Sequence, residues 1–231
     1  MADELLLASG SPRRRDLLRR LDVSFEVLEP TGVDESSVAG SAYERCQRLA
    51  VLKAQWGLKH GNKANVRVIG ADTVVALGEG EADRGGRANG ELEFGKPSGR
   101  EDARRMLTEL SGRRHRVMTG IAVVQRGVEP VSAVEISEVN FRDLNAEEIE
   151  TYLQTGDAEG KAGAYGIQSH GRQLVAGFRG CYYNIVGLPL RRLAGMLGVP
   201  YDCDCEGYPL QQGCAGCGRA TGERARGGRV Q

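Results

Sequence analysis

The chain has 231 residues, a length that suits one large or two small domains, and its 40% of hydrophobic residues can build a core. Its 31 basic and 31 acidic side chains cancel to zero formal charge. This excludes the basic excess typical of a nucleic-acid binder, so an anionic ligand must be held by locally placed cations. No apolar run approaches the ~20 residues of a membrane helix. The start Met1-Ala2-Asp3-Glu4, followed by Leu5-Leu6-Leu7, matches neither a signal peptide nor a transit sequence, which predicts a cytoplasmic protein with reduced thiols.

Residues 5–8 predict a short buried strand. Ser9-Gly10-Ser11-Pro12 then turns the chain into a helix, with Ser11 as N-cap, Pro12 at the first helical position and Leu17, Leu18 and Leu21 as its apolar stripe. Ser41 and Glu44 form a capping box before a second helix, along which Tyr43, Cys46, Leu49, Ala50 and Ala54 recur at helical spacing. Residues 66–77 are strongly β-prone but interrupted by Gly70-Ala71-Asp72. Residues 78–95, rich in Gly and charge and without periodicity, read as a long mobile hairpin loop.

Ser98 and Glu101 form another capping box, for a helix to about Leu110 that Ser111-Gly112 stops. Residues 117–125 and 131–141 read as strands. Asn145 caps a helix through Leu153 that ends at Gly156; residues 160–180 are Gly-rich, and 189–197 form the last helix. Alternating strands and helices indicate an α/β fold. After Val199 aliphatic residues vanish while Cys, Gly and Arg rise. The chain therefore divides into a domain over 1–199 and a tail over 200–231.

Four groups of residues could carry chemistry. Ser9-Gly10-Ser11-Pro12-Arg13 stands at a helix start, where free N–H groups and the helix dipole suit a phosphate and Arg13 and Arg14 add donors; an ordinary capped helix with a solvated Arg face reads equally well. Asp72 lies between apolar stretches, where a carboxylate is costly without a partner. A divalent cation or a catalytic water would supply one, and so would a loop-capping role. Lys53, Lys96 and Lys161 are the third group, the latter two in Gly-bordered segments that let a ligand approach, with Asp34 and Glu35 as adjacent acids. Gln168, in Gly163-Ala164-Tyr165-Gly166-Ile167-Gln168, offers a donor and an acceptor that suit a pyrimidine edge or simply a surface loop.

Taken together, these segments resemble the Maf family of nucleotide pyrophosphatases. The resemblance is carried by Leu6-Leu7-Ala8-Ser9-Gly10-Ser11-Pro12-Arg13-Arg14, Ile69-Gly70-Ala71-Asp72-Thr73-Val74-Val75 and Gly95-Lys96-Pro97. It continues through Leu110-Ser111-Gly112 with His115, Val117, Thr119 and Gly120, then Lys161-Ala162-Gly163-Ala164-Tyr165-Gly166-Ile167-Gln168 and Asn184-Ile185-Val186-Gly187-Leu188-Pro189-Leu190. These motifs occur in family order over residues 5–197.

The resemblance implies a mixed central sheet with helices in two lobes around a cleft, an inosine triphosphatase-like architecture shared by Maf and Ham1 proteins. It implies hydrolysis of a nucleoside triphosphate to the monophosphate and pyrophosphate, dependence on Mg²⁺ or Mn²⁺, and a homodimer. Asp72 would match the acceptor of a proton from water, and Asp34 an acid that helps hold the metal. Ser9 and Arg14 belong to the first motif; Arg13, Thr73 and Gln168 match positions tied to substrate choice; Lys53, Lys96 and Lys161 match positions near the triphosphate. Arg13, Thr73 and Gln168 resemble the branch acting on dTTP and UTP. The branch acting on 7-methyl-GTP carries Trp, Asp-Gln and Glu in the corresponding motifs, suiting a cationic base.

The 78–94 loop is longer than the family pattern, and the tail has no counterpart in it. Cys203, Cys205, Cys214 and Cys217 form two close pairs that could hold a structural Zn²⁺, with a redox-active or unstructured tail as the alternative. A nucleotide-binding regulatory module is the rival to an enzyme. A P-loop kinase or ATPase is disfavoured because Gly-x-x-x-x-Gly-Lys-Ser/Thr does not occur.

Overall fold

The computed structural model describes residues 4–63, 65–78, 91–204 and 208–212. Its frame is one mixed sheet. Strand β1 (Glu4–Ala8) pairs in parallel with β2 (Phe25–Leu28) on one side and with β3 (Val66–Leu77) on the other. β3 also pairs antiparallel with the short β4 (Leu92–Phe94) and with β5 (Arg114–Gln125), which continues through β6 (Val128–Phe141) to β7 (Val175–Arg179). The helices are α1 (Pro12–Arg19), α2 (Ala42–His60), α3 (Arg100–Leu110), α4 (Ala146–Gln154), α5 (Tyr182–Val186) and α6 (Leu190–Leu197). The α/β class read from the sequence is the class observed.

Three of the six described α-helices start on a side-chain cap. Ser11 accepts from the Arg14 amide with Pro12 at the first position, and both Ser41–Glu44 and Asn145–Glu148 close reciprocal capping boxes. The α3 start differs from the expectation. Gly99 is its N-cap, and Asp102 rather than Glu101 accepts from the Ser98 amide at 3.0 Å and hydroxyl at 3.3 Å. The 78–95 segment also differs. Residues 79–90 lie outside the described ones, but Leu92–Phe94 pairs with Val75–Leu77 because Phe94 is a fully buried core residue. Three further elements were not predicted: the four-residue β2, mostly exposed and too short for a period to show, β7 inside the Gly-rich 160–180 stretch, and α5, a single turn and a half.

β3 is unbroken at Gly70-Ala71-Asp72. Gly70 is there for contact, not for a turn: a Cβ on it would lie 2.1 Å from the Ala50 carbonyl oxygen of α2. A Cβ on Gly120 of β5 would lie 2.2 Å from the Cys46 carbonyl oxygen. Helix α2 therefore rests backbone-to-backbone on β3 and β5. Its inward stripe is Cys46, Leu49, Ala50, Lys53, Ala54 and Gly57, mostly small residues at helical spacing.

On the face turned away from α2 the long strands serve two cores, besides the small-residue packing under α2 itself. Ile69, Ala71, Ile121 and Val123 pack with Leu5, Leu7, Leu18, Tyr183 and Leu193 at one end. Val75, Val117, Val139 and Phe141 pack with Phe94, Leu107, Leu110 and Tyr152 at the other. Asp72 and Thr73 occupy the stretch of β3 between them. Replacing Gly120 with Ala is expected to drive the new methyl into the α2 backbone and destabilise the fold by about 3 kcal/mol, read from urea denaturation midpoints.

Candidate functional site

The cleft opens where β3 loses a neighbour. β1 ends at Ala8 opposite Gly70, and β4 begins only opposite Val75. Among the described residues, the edge of β3 over 71–74 is thus uncovered on that side. The chain leaving β1 turns there into the N-terminus of α1. This is the position outside a strand's carboxyl end where open α/β sheets take ligands. Period two points Gly70 and Asp72 to the α2 face and Thr73 to the other, and the open edge brings both side chains into one cavity of about 490 Å³.

On the α2 face, Lys53 Nζ lies 2.6 Å from Asp72 Oδ1 and 2.6 Å from Glu35 Oε1. Lys53 and Asp72 are largely buried, so each is the other's necessary partner. Burial pushes the Glu35 carboxyl up, but Lys53, with smaller help from Lys96 and Arg14, outweighs it and leaves Glu35 below its ordinary range.

On the other face, the Arg14 guanidinium donates from Nε to the Gly187 carbonyl at 2.9 Å and from Nη2 to Thr73 Oγ1 at 2.9 Å. Thr119 Oγ1 gives its hydrogen to the Asn184 carbonyl at 3.0 Å, so Thr73 donates to Thr119 across 3.0 Å. Asn184, itself buried, donates to the Val117 carbonyl and to Ser137 Oγ, each at 2.9 Å. Burial lowers the pKa of Arg14, opposed by the charges of Asp72 and Glu35.

From the opposite lobe, Lys161 is held 2.9 Å from Asp157 Oδ1, and Asp157 also accepts from the Ser169 hydroxyl at 2.7 Å and the Gly171 amide at 3.2 Å. Arg13 reaches across to the Gly160 carbonyl at 3.2 Å.

Nine of the residues singled out from sequence line this cavity: Ser9, Arg13, Arg14, Lys53, Asp72, Thr73, Lys96, Lys161 and Gln168. Asp34 does not. It is exposed, and its carboxylate folds back to cap the one-turn 3-10 helix Glu35–Ser37, taking the Ser36 amide at 3.0 Å and hydroxyl at 2.6 Å. The next residue, Glu35, is the acid that faces the cleft. Its only sequence signal was adjacency to Asp34. Asp157 and Tyr165 were missed as well; neither is marked by spacing, because their partners are distant or in a Gly-rich loop.

Asp72 and Glu35 present carboxylate oxygens to an open cavity within reach of one ammonium group. That donor set fits Mg²⁺ or Mn²⁺, which are held by one or two carboxylates with water and substrate phosphates completing the shell. In the tail, Cys203 is described, while Cys205, Cys214 and Cys217 lie outside the described residues. Among the described residues no group of three or more His, Cys, Asp or Glu could hold a metal.

A family profile described as Maf-like protein matches residues 4–199. The dTTP/UTP pyrophosphatase of Symbiobacterium thermophilum is 43% identical over 219 residues, covering 92% of this chain and 99% of that protein. The dTTP/UTP pyrophosphatase of Thermococcus kodakarensis is 43% identical over 187 residues, covering 80% and 91%. Among solved structures, the Ham1 protein of Staphylococcus aureus aligns with a TM-score of 0.41 at 16% identity, covering 61% of this chain and 72% of that chain.

Beneath the cleft, His115 is buried with Nε2 2.8 Å from the hydroxyl of Tyr165, a cavity-lining residue, and packs edge-on against Phe141. Burial pushes its pKa from the ordinary 6.5 down to about 3. The unfolded chain therefore binds a proton below pH 6.5 that the folded chain refuses until about pH 3, so stability falls as pH drops through this window. Between pH 6.5 and 5, above the carboxylate range, His115→Asn is expected to flatten the stability–pH slope by about 1.4 kcal/mol per unit, measured by urea denaturation.

Proposed function

The chain belongs to the Maf-like family, and from that premise we propose that it hydrolyses nucleoside triphosphates, dTTP and UTP foremost, to the monophosphate and pyrophosphate. The observation that carries this reading is the pairing, in one cavity, of a Lys53-bridged acid pair with cations on the facing walls.

A triphosphate brings about four negative charges that must be neutralised before water can attack. In this reading Arg13, Arg14 and the Gly10 N–H take phosphate oxygens from the α1 side, and Lys96 and Lys161 from the other lobe, all of them residues that line the cavity. Asp72 and Glu35 would hold a divalent cation, which neutralises charge on the phosphate oxygens when bound. Asp72 accepts a proton from water as the water oxygen bonds to the α-phosphorus. The bond from the α-phosphorus to its bridging oxygen breaks, and pyrophosphate leaves with the electron pair. Lys53 orients Asp72 for this step.

Gln168, exposed at the cavity rim, supplies one donor and one acceptor to a neutral pyrimidine edge. A cationic methylated purine would favour a carboxylate and a stacking ring. A homodimer belongs to the same reading and rests on the family resemblance, while a cytoplasmic location rests on the composition of the N-terminal segment. No helix among the described residues is long and apolar enough to cross a membrane.

Pyrophosphate release measured with Mg²⁺ over dTTP, UTP, CTP, GTP, ATP and 7-methyl-GTP is expected to favour dTTP and UTP by at least about tenfold in kcat/KM, a pocket discrimination of ordinary size. A purine preference would keep the reaction and discard the pyrimidine assignment. Asp72→Asn is expected to cut kcat by about 10²–10⁴ while calorimetric UTP affinity stays within a few-fold; near-normal turnover would remove Asp72 from the role of base.

A further inference from the structure

The family match ends at residue 199, yet the described residues beyond it, up to 204 and from 208 to 212, are built into the domain. The Asp204 carboxylate accepts from the Tyr183 hydroxyl at 2.5 Å and the Tyr201 hydroxyl at 3.1 Å, and forms an ion pair with Arg20 at the end of α1. The Tyr208 ring stacks on Tyr182 with centroids 3.7 Å apart and planes 10° from parallel, and its hydroxyl lies 3.1 Å from that of Tyr183. Further on, the Phe178 amide of β7 donates to the Leu210 carbonyl at 2.9 Å, and the Gln212 amide donates to the Phe178 carbonyl at 2.7 Å.

This segment grips two elements that also form the cleft. Tyr182 and Tyr183 open α5, whose Asn184 carbonyl anchors the Thr119–Thr73 hydrogen bonds. The Gly187 carbonyl just after α5 holds Arg14 Nε. Arg20 follows the last turn of α1, whose first turn carries Arg13 and Arg14. α5 is only five residues long, so its own hydrogen bonds are too few to set its position firmly.

We propose that residues 201–204 and 208–212 act as a brace: Asp204 and Tyr208 are positioning residues that lock α5 to α1 and thereby set the Arg14 guanidinium for the triphosphate. This rests on the pyrophosphatase reading for its consequence in catalysis, but the brace itself can be observed without turnover.

The test uses full-length Tyr208→Ala and Asp204→Asn, with Tyr208→Phe as the conservative control. Deuterium exchange of the 182–188 peptide, whose Gly187 and Leu188 amides bond back to the Tyr183 carbonyl, is expected to quicken about tenfold in Tyr208→Ala and Asp204→Asn, with the α3 peptide unchanged. At 25 °C, kcat/KM for UTP is expected to fall about 10- to 100-fold in both, as for misplacement of a positioning group. Tyr208→Phe keeps the stack and is expected to restore most of it. In an Arg14→Lys background, Tyr208→Ala should lower kcat/KM no further.

Unchanged exchange across 182–188 would overturn the brace. A lowered melting temperature with unaltered kcat/KM, or an equal loss in the Arg14→Lys background, would overturn its role in positioning. A wild type that releases no pyrophosphate would overturn the pyrophosphatase reading instead; the brace would then stand or fall on the exchange result.

Discussion

The structure depends on the close approach of α2 to the sheet. Gly70 and Gly120 remove the side chains that would otherwise hold the helix away from β3 and β5. Gly120 lies directly across from Asp72 in the ladder, and Gly70 precedes Asp72 on the same face. The helix is therefore near enough for Lys53, three residues past Ala50, to reach Asp72 at 2.6 Å. A buried charged group is costly without a partner, and the two glycines are what let Lys53 come close enough to be that partner for Asp72.

The second constraint is that β3 outlasts β1. A strand paired along both edges would have closed Asp72 and Thr73 off from any ligand. Here the missing neighbour leaves an open edge between the two hydrophobic cores, and charged side chains collect where their heads can meet a polar ligand. The two faces of one strand then do different work. Asp72 looks to α2 and the acid pair, while Thr73 joins Arg14 to Thr119 and through it to Asn184. That chain of hydrogen bonds ties the anion-binding side of the cleft to α5, a short helix with little stability of its own.

Much of this was legible in the sequence because it is local. The Ser11-Pro12 start of α1, the Ser41–Glu44 box, the Asn145 cap and the helical spacing of α2 are chemistry within four residues. Eight cavity-lining residues could be named because they fall in short ordered motifs, and Lys53 as a lysine late on the second helix; all nine line one cavity. The misreadings were of longer range. Gly70 was taken for an interruption, but its reason is the Ala50 carbonyl, twenty residues away. Leu92–Phe94 was absorbed into a loop, although Phe94 is fixed by a core assembled from distant helices.

Sequence alone determined the α/β class, the family and most of the charged residues that line the cleft, since each is written in short-range pattern. Tertiary structure alone decided that Glu35 rather than Asp34 faces the cavity, that Asp157 holds Lys161, and that Asp204 and Tyr208 of the tail fasten α5. The physical reason is the same in each case. Which of two adjacent acids turns inward, and which carboxylate meets which cation, depends on distances between segments that are far apart along the chain, and no local periodicity records those distances.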